Sequence, residues 1–127
     1  ESVDTWVLES LQVTSGSSTM PTATVQLRKE EELFQDAAVG NGPVDAAYKA
    51  IERITGIQVT LEDYSIRAVT RGGDAFGEAT IHVARNGDRA VGRAASTDVV
   101  QASAAAYLNA INRLLIRCGL NGKHDTP

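Results

Sequence analysis

Displaced by 56 residues, Val13 onto Val69, the sequence falls onto itself: Val13-Thr14-x-Gly16 lies over Val69-Thr70-x-Gly72, and Ala23-Thr24-Val25-x-Leu27 over Ala79-Thr80-Ile81-x-Val83. The two intervening loops read as equal in length. The helical segments that follow match at a larger shift, Tyr48 over Tyr107 and Ile51 over Ile111, which implies a few residues inserted in the second copy. Self-similarity of this kind means one supersecondary unit used twice, and a unit so short cannot cover its own sheet. The expectation is an α+β fold: two βββα repeats related by a pseudo-twofold, with two small antiparallel sheets packed with two helices. At 127 residues and 43% apolar content, one domain spanning 1–127 is expected, with repeat one over about 6–56, repeat two over about 57–119 and a flexible tail at 120–127.

Within repeat one, Trp6 to Thr14 reads as a strand with Val7, Leu11 and Val13 on one face and Trp6 and Leu8 on the other. A loop from Ser15 to Pro21 separates it from a strand in which Ala23, Val25 and Leu27 alternate with Thr24, Gln26 and Arg28. A third strand, Leu33 to Val39, completes a meander. Gly40-Asn41-Gly42-Pro43 then turns the chain into a helix: both glycines are read as conformationally permissive, and Pro43 suits the first helical position. Asp45 faces the positive end of that helix dipole. The helix runs to about Ile54, with Val44, Ala47, Tyr48, Ile51 and Ile54 as its buried stripe, and Gly56 stops it.

Repeat two opens with apolar residues that change parity near Glu62-Asp63, from Ile57, Val59 and Leu61 to Tyr64, Ile66 and Ala68, which predicts a β-bulge. A glycine-rich loop, Arg71 to Gly77, precedes the strand of Ala79, Ile81 and Val83. Asn86-Gly87 marks a tight hairpin. After a strand from Arg89 to Ala95, Ser96-Thr97-Asp98 caps a helix that runs to Cys118, whose alanines (Ala102, Ala104, Ala105, Ala106 and Ala110) offer close-packing surfaces.

Chemistry is sparse. The net charge of −4, with scattered basic residues, argues against a nucleic-acid or anionic-membrane partner. One cysteine permits no internal disulfide and no Cys-cluster metal site, so a reduced, cytoplasmic setting is the default, and no apolar run approaches a membrane span of about 20 residues. His82 sits on a strand and His124 in the tail, in no metal-ligand spacing, and Cys118 reads as a structural thiol. Gly40-Asn41-Gly42 matches a dinucleotide fingerprint poorly, since Asp45 replaces the third glycine and no parallel βαβ pattern surrounds it. No catalytic residues and no metal ligands are expected here. The first residue is Glu1, and the chain reads as a piece of something larger.

A pocket for a zwitterion is what these residues support. Amides at the helix starts Asn41-Gly42 and Thr97-Asp98 offer donors for an anion, and Asp74 offers an acceptor for a cation. Val44, Leu61, Ala68, Ala75 and Val99 could line a cavity for an aliphatic side chain.

Four stretches carry a family resemblance: Val-Gly-Asn-Gly-Pro-Val-Asp-Ala at 39–46, Leu-x-Asp-Tyr-Ser-Ile-x-Ala-Val-Thr at 61–70, Gly-x-Asp-Ala-x-Gly-Glu at 72–78, and Gly-Arg-x-Ala-Ser-Thr-Asp at 92–98. In this order they resemble the C-terminal regulatory domain of 2-isopropylmalate synthases, over Trp6 to Leu115; the citramalate synthase domain is the close alternative. The resemblance implies a homodimer that binds leucine, or isoleucine in the alternative, to inhibit a catalytic barrel domain of the same chain in leucine biosynthesis. There, acetyl-CoA joins 2-oxoisovalerate with a divalent metal ion. Carried over by motif, the effector contacts fall on Asn41, Gly42, Val44, Leu61, Tyr64, Ala68, Asp74, Ala75, Thr97 and Val99. Two rivals are a purely structural dimerisation module and a small enzyme holding phosphate or nucleotide at Gly40 to Gly42.

Overall fold

The computed structural model describes residues 5–118. Strands β1 (Trp6–Gly16), β2 (Thr19–Lys29) and β3 (Glu32–Val39) precede helix α1 (Pro43–Thr55), and β4 (Thr60–Arg71), β5 (Asp74–Arg85) and β6 (Asp88–Ser96) precede helix α2 (Val99–Cys118). Two antiparallel sheets result, ordered β1-β2-β3 and β4-β5-β6, so the architecture is α+β with βββα used twice. The described residues divide into two compact units: one comprises those up to Ile57 together with Leu115–Cys118, and the other is Gln58–Leu114. The expected tail at 120–127 and His124 lie outside the described residues.

In the first unit, Ala23, Val25 and Leu27 are fully buried on β2, as their alternation requires. β1 departs from the expected faces. Its register against β2 slips between Leu8 and Ser10, a bulge at Glu9 that brings Trp6, Leu8, Leu11 and Val13 onto the face shared with Leu27, Val25 and Ala23. Val7 falls opposite Arg28 on the other face. Trp6 packs edge-on against Phe34 at 5.3 Å, with the Lys29 ammonium 5.2 Å from its ring centroid.

Helix α1 covers this sheet through Ala46, Ala47, Ala50, Ile51 and Ile54, while Val44 and Tyr48 of the expected stripe are only half-buried. The alanines let the helix backbone come close, which turns the buried face toward them. Gly56 adopts the left-handed conformation expected of a helix stop (φ 73°), and its N–H donates to the Glu52 carbonyl. Gly40 is required by proximity: a Cβ there would stand 2.5 Å from the Ala46 nitrogen. Gly42 is not required in this sense. As N-cap it is extended (φ −165°), a conformation open to any residue, and space around it is clear.

In the second unit the predicted bulge is present between Leu61 and Asp63. The expected loop from Arg71 to Gly77 is instead mostly strand. Only Gly72 and Gly73 turn, both at positive φ, and Asp74 and Ala75 pair with Arg71 and Thr70. Asn86-Gly87 forms the hairpin expected, at φ 52° and 89°. The close-packing role of the α2 alanines is realised where the helix crosses β6: a Cβ on Gly92 would overlap the Ala106 carbonyl oxygen and stand 2.5 Å from the Ala110 nitrogen.

Pairing also corrects the repeat. Ala23, Val25 and Leu27 correspond to Ala79, Ile81 and Val83 at a shift of 56, and so do the helix starts, since Ala46 N–H bonds Gly42 O as Ala102 N–H bonds Asp98 O. The first strands correspond at 53 instead: Val13 faces Ala23 as Ile66 faces Ala79, and the bulge residues are Glu9 and Glu62. The inserted residues therefore lengthen the β4-β5 hairpin, and the helices are in step.

Candidate functional site

At both helix starts a carboxylate of the chain itself bonds backbone amides, but only at α2 does it cap the helix. At α1, Asp45 Oδ2 accepts the Asn41 N–H at 2.9 Å and lies 3.2 Å from the Lys49 ammonium. The Asn41 amide bond, chiefly, holds the Asp45 pKa below its ordinary value; partial burial opposes the shift and Lys49 adds to it. The Gly40 N–H donates to the Pro21 carbonyl at 3.1 Å, which ties this junction to the start of β2. Asn41, Gly42 and Val44 thus sit together in the first unit, with the Asn41 amide already engaged. Pro43 has no N–H to offer, so the amides that helix geometry leaves open here are those of Gly42, Val44 and Asp45.

At α2, Asp98 Oδ1 accepts the amides of Val100 at 2.9 Å and Gln101 at 3.3 Å, and Ser96 Oγ accepts the Asp98 N–H at 3.1 Å. Thr97 and Val99 flank this cap and are exposed.

The larger feature of the second unit is an apolar row that its own helix does not cover. Leu61, Tyr64, Ile66 and Ala68 lie opposite Val83, Ile81, Ala79 and Gly77, on the face over which α2 runs. Their partners Val83, Ile81 and Ala79 are fully buried, yet Leu61, Tyr64 and Ile66 remain 42%, 36% and 39% exposed. The cause is placement. Helix α2 crosses at Gly92 on β6, on the far side of the sheet from edge strand β4. Val99 reaches back toward the row, its Cγ2 only 3.3 Å from where a Cβ of Gly77 would lie, with Ile66 Cγ2 at 3.8 Å from the same point. Gly77 thus leaves room that a side chain would fill. From further along α2, the fully buried Ser103 meets the Tyr64 hydroxyl, oxygen to oxygen 2.7 Å.

Of the residues singled out from sequence, the second unit therefore gathers Leu61, Tyr64, Ala68 and Val99 around one open face, and Ala75 shares that face further along the hairpin. Asp74 has the opposite parity, with Glu78 and His82. Ile66 and Ser103 belong to this constellation and were not among the candidates. Strand parity alone could have supplied Ile66, while Ser103 gave no signal among the alanines of α2.

The other face of the sheet is polar. Arg67 pairs with Glu78 at 2.7 Å, Arg89 with Glu62 at 3.0 Å, and His82 Nδ1 lies 3.8 Å from Asp63. Near the Asn86-Gly87 turn, a cleft of about 380 Å³ is lined by Thr60, Arg85, Arg89 and Glu62 and contains none of the candidates. Among the described residues no group of three His, Cys, Asp or Glu side chains is placed to hold a metal ion, and no helix is long and apolar enough to cross a membrane. Cys118 is half-buried.

The chain is similar to curated 2-isopropylmalate synthases. It is 52% identical over 113 residues to that of Carboxydothermus hydrogenoformans, covering 88% of this chain and 22% of the relative. Against the Heliobacterium modesticaldum enzyme the identity is 51% over 112 residues (88% of this chain, 22% of the relative). With that of Ruminiclostridium cellulolyticum it is 47% over 114 residues (90% and 22%). The chain thus spans 22% of the length of these relatives. The model of the LeuA allosteric (dimerisation) domain matches residues 1–115, and the chain belongs to that family.

Proposed function

We propose that this chain is the effector-binding and dimerisation domain of a 2-isopropylmalate synthase, and that it binds leucine to mediate feedback inhibition. The observation that carries the reading is the uncovered row of Leu61, Tyr64, Ile66 and Ala68 beside Val99, an apolar surface of the kind that takes a branched aliphatic side chain. Leaving such a row in water costs free energy that a ligand or a second copy of the chain recovers. The effector's carboxylate is received by amides that the start of α2 leaves open, beside Thr97 and Val99. Its ammonium goes to carbonyl oxygens of the β4 edge or to Asp74. Ala75 completes the surround.

Inhibition requires the effector to bind one state of the whole enzyme more tightly than another. The hairpin of Asp74 and Ala75 is already paired, so the two states differ elsewhere than in ordering that segment. The acyl transfer from acetyl-CoA to 2-oxoisovalerate and its divalent metal ion belong to a catalytic barrel, placed in the cytoplasm and outside the residues of this chain. The relatives' name favours leucine over the isoleucine of citramalate synthases.

Titration calorimetry of the chain with leucine, isoleucine, valine and alanine tests this. Saturable binding with leucine preferred is the expected result. A preference for isoleucine would move the chain to the citramalate synthase side. A folded dimer that binds none of the four would make it a structural module. If Asp74 holds the ammonium, Asp74→Ala weakens binding about tenfold, or 1.4 kcal/mol; unchanged affinity assigns that role to the strand carbonyls.

A further inference from the structure

Tyr64 and Ser103 form a polar contact on an otherwise apolar face, and the first unit does without it. The register places Leu11 opposite Val25 as Tyr64 lies opposite Ile81. Counting from the N-caps Gly42 and Asp98, Ala47 takes the place of Ser103. A leucine above an alanine therefore serves the βββα fold as well as a tyrosine bonded to a serine. The fold does not account for the pair.

What the bond does is mechanical. Tyr64 is 36% exposed on an edge strand, where a phenol ring without an anchor would sample several rotamers. Its hydroxyl instead reaches Ser103, which is fully buried and so bound to one position. Apart from its own turn of helix, Ser103 has little else among the described residues to satisfy it, and losing the phenol hydroxyl leaves a buried polar group short of a partner. The ring is thereby held between Leu61 and Ile66 as a fixed wall of the open row.

We infer that Ser103 is a positioning residue for effector discrimination: by anchoring the Tyr64 hydroxyl it fixes the width of the side-chain pocket, and so decides between branched amino acids that differ only in where the methyl group sits. This rests on the reading of the row as the effector's side-chain site. A rigid wall is needed because one displaced methyl in an apolar pocket is otherwise worth little.

The test is calorimetry with leucine and isoleucine on the unaltered chain, Tyr64→Phe, Ser103→Ala and Ser103→Thr. Tyr64→Phe keeps the ring and cuts the bond from one side, and Ser103→Ala cuts it from the other. Both are expected to fold and to bind leucine, with the affinity ratio between the two amino acids reduced about tenfold, equivalent to 1.4 kcal/mol. Combining them adds nothing further, because one bond is lost in either case. Ser103→Thr, which retains the hydroxyl, restores the ratio. A ratio kept intact in both cutting variants overturns the role of Ser103 while leaving the effector site standing. An unaltered chain that binds neither amino acid overturns the effector reading and this inference with it.

Discussion

Asp45 occupies the place at the start of α1 where sequence suggested an external carboxylate. Its Oδ2 takes the Asn41 N–H at 2.9 Å and meets Lys49 one turn on, so the junction closes on itself without a ligand. Because the folded pKa is lowered, the charged form stabilises the fold at pH values above the ordinary aspartate value of about 3.9, and that contribution is lost as pH falls through the lower folded value. Asp45→Asn keeps an acceptor for the Asn41 amide but removes the charge. Thermal unfolding of the two proteins should differ at pH 7, with the unaltered chain more stable, and the difference should close as the pH is taken below about 4. A constant difference across that range would mean that Asp45 acts through shape alone. Asp45 in the first helical turn was legible from sequence; the engagement of Asn41 was not, because it depends on Gly40 bringing β3 against the helix.

Elements were legible where alternation or capping is local. Ala23, Val25 and Leu27, the Glu62 bulge, Asn86-Gly87 and the Gly56 stop all follow from patterns a few residues long. The Glu9 bulge was hidden because Val7, Leu11 and Val13 share odd parity and so imitate one face, with only Glu9 interrupting them. Gly72 to Gly77 read as a loop because glycine signals turns, whereas Gly77 is a strand glycine that leaves space beneath Val99. The buried face of α1 was misjudged for a related reason: hydropathy gives little weight to Ala46 and Ala50, and backbone proximity rewards them. Gly92 is the sharpest case of such proximity. A methyl group there meets backbone atoms of Ala106 and Ala110 on α2, which cannot rotate away as a side chain would. Gly92→Ala should therefore cost about 3 kcal/mol, at the upper end of overpacking penalties, measured by urea unfolding with the slope unchanged. The same substitution at Gly42, where nothing lies nearby, should cost far less. Similar losses at both positions would mean that the crossing of β6 and α2 yields enough to admit a methyl group at Gly92.

For the molecule as a whole, the apolar row of β4 links stability to function. Surface that the fold leaves exposed is available to whatever covers it, and a ligand bound only by the folded state stabilises that state by RT ln(1 + [L]/Kd). Leucine at a hundred times its dissociation constant should then add about 2.7 kcal/mol, which for a chain of this size raises the melting temperature by several degrees. The rise should continue with the logarithm of leucine concentration, since mass action does not saturate when the site does. Ala68→Phe, placed on the exposed row opposite Gly77, fills the space that the effector's side chain needs. It should abolish the leucine-dependent rise while leaving the melting temperature without leucine within about a degree or two, as expected for substitutions that neither open cavities nor strain a core. A leucine-dependent rise that survives Ala68→Phe would place the side-chain site away from β4. Dimerisation can be separated in the same experiment, because a melting temperature set by association rises with protein concentration when leucine is absent. Concentration dependence without leucine dependence would identify the row as the surface that meets a second copy of the chain, and both dependences together would mean that effector and partner are bound by one folded state.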